Sequence, residues 1–119
     1  MQLLAHVVTA LVALIHVYIV LLETVLFPTR GRRVFGLSQE KAELMRPAMS
    51  NQGCYNGFLV AALGVGWLHP DAATAAAFTS FGLACVAVAG IWGALTVKRS
   101  ILFIQTVPAV LALALRALA

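Results

Sequence analysis

Residues 3–27 read LLAHVVTALVALIHVYIVLLETVLF. A helix needs about 20 mostly apolar residues to cross a bilayer, and this run supplies them with one acidic side chain, Glu23, near its end. A carboxylate in such a run costs a few kcal/mol on insertion scales, so Glu23 is a functional-site candidate by default. His16 lies two helical turns before it, on much the same face. Three more runs of this kind follow: Ala48–Leu68, Ala72–Val97 and Ile101–Leu118.

The chain has 119 residues, 62% of them hydrophobic and 10% charged, with a mean hydropathy of +0.98. A soluble domain of this size needs far more charged surface, so the bilayer is expected to be its solvent. The four runs consume nearly all the sequence and leave no room for a soluble domain. The expected fold is therefore all-α: one integral membrane four-helix bundle over residues 1–119, with helices at about 3–27, 48–68, 72–97 and 101–118. The runs are continuous and rich in Leu and Ala rather than alternating, which excludes a β-barrel. The first run lacks the basic flank and small-residue cleavage site of a signal peptide and reads as a retained helix.

The net charge of +4 is placed asymmetrically. Arg30, Arg32, Arg33, Lys41 and Arg46 lie between the first two runs, and Lys98 and Arg99 between the last two, against Arg116 alone on the other side. That pattern argues against nucleic acid, and for anionic lipid headgroups as the partner of the basic residues in the first loop, Arg30, Arg32, Arg33, Lys41 and Arg46. It predicts a multi-pass protein with both termini outside and residues 28–47 in the cytoplasm. Within that loop Ser38 can cap a short helix over Gln39–Arg46, with Glu40 in its first turn. Leu37, Leu44 and Met45 give this helix an apolar edge suited to the cytoplasmic interface. Pro47 then fits the first turn of the next helix.

Counting about 100° per residue, Asn51, Gln52, Tyr55 and Asn56 share one arc of the second membrane helix. Gly53, Gly57, Ala61 and Gly64 form a separate small-residue face, and Gly82, Ala89, Gly90 and Gly93 repeat it on the third; such faces let helix backbones approach closely in lipid. These stripes suit contacts within the chain or between copies in a homo-oligomer. Pro108 is expected to kink the last helix.

Depth brings the polar residues together. Glu23, Asn51, Gln52, Tyr55, Asn56, Trp92 and Gln105 all fall in the cytoplasmic half, with His16 deeper. Two readings stand side by side. In one the groups satisfy one another as a buried polar knot; in the other they line a pocket for a small amphipathic molecule or lipid, with Glu23 ionisable and the carboxamides orienting the guest. No metal-ligand spacing, phosphate loop, nucleophile–base pair or cofactor motif is present, and Cys54 and Cys85 read as buried small hydrophobes. Binding or transport is the leading functional reading. A membrane enzyme acting on a lipophilic substrate and a structural subunit of a membrane complex are the alternatives.

The string His16-x-Tyr18-x4-Glu23, then Pro28-Thr29-x-Gly31-x2-Val34-Phe35-Gly36-Leu37, then Asn51-Gln52-Gly53-x-Tyr55-Asn56-Gly57-Phe58-Leu59, resembles a family of small bacterial inner-membrane proteins of unknown function. The likeness covers the whole chain, and Asn-Gln-Gly-x-Tyr-Asn-Gly is its most specific part. Phe27 stands where many members carry tryptophan. The resemblance implies a four-helix fold in the inner membrane and makes Glu23, Asn51, Gln52, Tyr55 and Asn56 part of the family pattern. It implies no activity.

Overall fold

A computed structural model describes all residues, Met1–Ala119. The chain is all-α, with helices α1 (Gln2–Glu23), α2 (Arg32–Val34), α3 (Gln39–Leu68), α4 (Ala72–Thr96) and α5 (Val107–Leu118) and no strand. Two π-helical turns, Phe27–Gly31 and Leu102–Thr106, interrupt the helical runs. Helices α1 and α4 are long and apolar enough to cross a membrane, and Leu102–Leu118 is a shorter apolar stretch. The chain divides into two compact units, one made of residues 1–15 and 59–119, the other of residues 16–58.

In the first unit the core is a set of small and branched side chains at helical spacing. Ala5, Val8 and Val12 come from α1, Leu83, Val86 and Ala87 from α4, and Ala109, Ala112 and Leu115 from α5, with Leu63 of α3 among them. Spacings of three and four put each set on one helix face. Small core residues allow close backbone approach, and Gly90 carries this furthest. A Cβ there would run into the Thr106 hydroxyl and come within 2.7 Å of the Thr106 backbone nitrogen. That approach lets Thr106 Oγ1 donate a buried hydrogen bond to the Ala87 carbonyl at 2.9 Å.

Both π turns contain or adjoin a proline, and the reason is local. Pro108 has no N–H for the Ile104 carbonyl and its ring crowds that oxygen. The backbone widens ahead of it, and the Val107 N–H bonds the Leu102 carbonyl five residues back. So the break expected at Pro108 as a kink is a wide turn lying N-terminal to the proline. Pro28 acts likewise after α1. That helix ends at Glu23 rather than Phe27, and Leu26 N–H and Gly31 N–H each donate five residues back, to Leu21 at 2.9 Å and Leu26 at 2.8 Å. Thr24 Oγ1 meanwhile donates to the Val20 carbonyl at 2.6 Å.

The second unit also corrects the reading of residues 39–68. Ser38 Oγ does accept from the Lys41 N–H at 3.2 Å, as a cap should. No separate interfacial helix follows, because α3 runs without a break through Pro47 for 30 residues. The proline removes one bond, to the carbonyl of solvent-exposed Glu43, which water can satisfy. Before α3, Gly36 closes α2 with φ 68°, a left-handed value that favours glycine. Gly36 N–H bonds Arg33 and Leu37 N–H bonds Arg32, the paired pattern that terminates helices.

Asp71 starts α4. Its Oδ2 accepts from the Thr74 N–H at 2.8 Å and the Thr74 hydroxyl at 2.7 Å, and these bonds hold the carboxyl below its ordinary value of 3.8. A carboxyl depressed on folding stabilises the fold above its unfolded pKa, and the contribution is lost as pH falls through the folded value. Helicity of the purified protein should therefore weaken on acidification below 3.8, and Asp71→Asn, which keeps an acceptor but cannot titrate, should flatten that part of the profile. Gly90→Ala is expected to cost about 1–3 kcal/mol through overpacking against Thr106, whereas Gly64→Ala, which meets nothing within 4 Å, should be neutral or slightly stabilising. Unfolding midpoints of the two variants decide it.

Candidate functional site

Glu23 is the last residue of α1, where the turn at Thr24 carries the chain away. It is nevertheless only 1% exposed. Helix α3 supplies its partners from within the same unit. Gln52 Nε2 donates to Glu23 Oε2 at 2.6 Å and Asn56 Nδ2 donates to Oε1 at 2.5 Å. Residues 52 and 56 are one helical turn apart, so their carboxamides stand on one face, one above the other, and each takes one carboxylate oxygen. The result is a two-pronged clamp of neutral donors on one charge.

Gly53 makes the clamp reachable. A Cβ there would lie 2.6 Å from Thr24 Cγ2 and 3.2 Å from Glu23 Cβ. Hence the α3 backbone passes close to the end of α1 only because this position has no side chain. The small-residue face read from sequence is thus divided. Gly53 is an approach point, Gly57 and Gly64 meet nothing within 4 Å, and Gly66, outside the stripe, faces Thr79 instead.

The other sequence candidates fall in different places. His16 is fully buried on α1, about 10 Å before Glu23 by helical rise. Asn51 is exposed, and Tyr55, 62% exposed, packs edge-on against Phe58 with ring centroids 5.7 Å apart. Trp92 and Gln105 belong to the first unit, Trp92 at 69% exposed on α4 and Gln105 half-buried in the second π turn. Cys54 is exposed rather than buried, and Cys85 is intermediate.

Chemically, the clamp is rich in acceptors. An ionised carboxylate only accepts hydrogen bonds, so each carboxamide must turn its NH2 inward and its carbonyl oxygen away. The side chains that bond Glu23 are both uncharged. Such a group favours a proton, a cation or a hydrogen-bond donor. Two shallow apolar depressions lie elsewhere, one lined by Ala61, Gly64, Val65 and Leu68 with His69 and Pro70, the other along α5 between Leu102 and Ala114.

One interaction escaped the sequence reading. Arg30 Nε donates to Tyr18 Oη at 2.5 Å, and its guanidinium carbon sits 5.7 Å from the Tyr18 ring centroid. The two residues are separated by the proline turn, and no periodicity connects them.

A model of the family described as protein of unknown function (DUF1304) matches residues 10–117, and the chain belongs to that family. Searches of curated proteins and of solved structures gave no match.

If the clamp holds α1 to α3, its members must be energetically coupled. Asn56→Leu keeps volume but leaves Oε1 buried without its donor, at an expected cost of about 1.5–3 kcal/mol. The double variant with Glu23→Gln should cost clearly less than the sum of the single variants, by about 1 kcal/mol or more. Additive losses in chemical unfolding would mean that these contacts contribute nothing.

Proposed function

We propose that this member of the DUF1304 family is a multi-pass protein of the bacterial inner membrane that binds or transports a small amphipathic molecule through Glu23. Four membrane crossings are inferred: α1, the part of α3 after Pro47, α4, and the stretch from Ile101 to Leu118. Both termini lie outside and residues 28–47 lie in the cytoplasm. Several features support insertion. Helices α1 and α4 have the length and apolarity to span, and the shorter Leu102–Leu118 stretch shares the apolarity. Large apolar side chains such as Leu14, Phe81, Leu95 and Phe103 stand exposed along the helices, where lipid tails would cover them. The basic residues cluster in the two segments read as cytoplasmic.

The observation that carries the site reading is a buried carboxylate held by neutral donors with no cation beside it. Hydrogen bonds from carboxamides stabilise a carboxylate but do not cancel its charge, which is costly in an apolar medium. A guest with an amino group relieves that cost, because Glu23 and the outward carbonyls of Gln52 and Asn56 all accept from it. The apolar part of such a guest would lie among the exposed Leu and Val side chains of α1. The preferred ligand is therefore an amphipathic amine, exchanging with a proton at Glu23.

Closure of both oxygens also favours a second reading, in which the clamp fixes the register of α1 against α3 and the chain serves as a structural subunit. The two readings differ in what they require of the charge. With the protein in proteoliposomes, a fluorescent alkylamine should bind saturably, and binding should weaken as acid protonates the carboxyl. Glu23→Gln should lower affinity at least about tenfold, or about 1.4 kcal/mol, and should remove the pH dependence of flux. A variant that inserts normally and binds the amine as well as wild type would leave only the structural reading.

A further inference from the structure

The arginines that follow α1 are arranged in a way that charge asymmetry alone does not explain. Arg30 is turned back along α1, where Tyr18 Oη accepts from its Nε and the Tyr18 ring lies under its guanidinium. The bond uses only Nε, so both terminal amino groups of exposed Arg30 remain able to donate. Tyr18 itself is 40% exposed, as are its neighbours Val17 (40%) and Leu21 (39%), so the tether sits on an open, greasy surface. Arg32 is committed internally, since its Nη1 donates to the Leu37 carbonyl at 3.3 Å and closes the turn after α2. Arg33 next to it is exposed and makes no ion pair. Val34 and Phe35 are exposed beside it, at 52% and 41%.

Two cations without carboxylate partners, set among exposed apolar side chains, lack an anion with a greasy body. An acidic protein surface would supply the charge but not the apolar contact. A lipid supplies both. We propose that Arg30 and Arg33 form a docking surface for the phosphodiester headgroup of an anionic lipid, with Tyr18 as the residue that positions Arg30. A guanidinium offers parallel N–H donors that match two phosphate oxygens, and the Tyr18 hydroxyl, by accepting from Nε, fixes where those donors stand. The acyl chains would run along Val17 and Leu21 and beside Val34 and Phe35. Its polar groups are distinct from the Glu23 clamp, and it rests only on the reading of the chain as membrane-inserted.

The test is retention of lipid by the full chain after extraction from mixed phosphatidylglycerol and phosphatidylcholine bilayers, read by native mass spectrometry. Wild type should retain phosphatidylglycerol several-fold over phosphatidylcholine. R30Q/R33Q should lose that preference, Tyr18→Phe should lower it, and K98Q/R99Q should leave it unchanged. R30K/R33K, which keeps the charges, should retain part of it and guards against misfolding of the glutamine variant. Equal retention of both lipids by wild type would overturn the proposal. So would an unchanged preference in R30Q/R33Q, an equal loss in K98Q/R99Q, or displacement of phosphatidylglycerol by inorganic phosphate. Release of the chain from cell membranes by alkaline carbonate would instead overturn the membrane reading, so the two failures are distinguishable.

Discussion

A carboxylate that is 1% exposed and faces two neutral donors is the constraint on which the second unit is built. Leaving Glu23 without donors would cost far more than a typical helix contact contributes, so any arrangement of residues 16–58 must bring donors to it. Gln52 and Asn56 do so from one face of α3. That geometry fixes the azimuth of α3 against the end of α1 and its height to within a helical turn. Gly53 follows from it, because the same approach leaves 2.6 Å between a hypothetical Cβ and Thr24 Cγ2. Even the early end of α1 fits. Thr24 bonds back to Val20 and the chain turns away after the carboxylate has been delivered.

The first unit uses a different device. Its core is Ala, Val, Leu and Gly, and its one buried hydrogen bond between elements, Thr106 to Ala87, depends on the missing side chain at Gly90. In the bilayer proposed for it, where the hydrophobic effect does not press helices together, close packing and a few such bonds must suffice. The π turn at Leu102–Thr106 belongs to the same solution, since widening the backbone ahead of Pro108 rotates Thr106 without ending the run.

Much of this was legible in the sequence. Four apolar runs imply an all-α chain, and Glu23, Gln52 and Asn56 are three of eight candidates, with His16, Asn51, Tyr55, Trp92 and Gln105, that such runs single out because polar groups in them need partners. What the helical wheel left open was the direction in which the polar arc of α3 points. At about 100° per residue, Asn51 and Tyr55 fall on one edge of the arc and Asn56 on the other, with Gly53 just beyond Asn56. Once Gly53 is the point of contact, the centre of the buried face shifts past Asn56, and Asn51 and Tyr55 turn outward. The sequence reading had set the glycine apart from the carboxamides, so it kept all four polar residues together. The π turns were illegible for another reason. Proline announces that a bond is lost but does not say whether the helix continues or widens: α3 continues through Pro47, while the backbone widens at Pro28 and ahead of Pro108.

If Glu23 takes the proposed amine, binding and stability there are two aspects of one balance. A charge held by dipoles alone keeps α1 and α3 in register, yet remains a liability that a proton or a cation can relieve. Whatever binds there must break or share the carboxamide bonds, because each oxygen already has a donor. A proton changes the clamp itself. A protonated carboxyl offers one O–H, and the carboxamide facing it must then present its carbonyl instead of its NH2. The flip of a single amide would turn that prong from donor to acceptor without moving either helix. Under the proposed function, such a site would exchange a proton for an amine at nearly constant backbone geometry, which is the property a small and closely packed carrier would need.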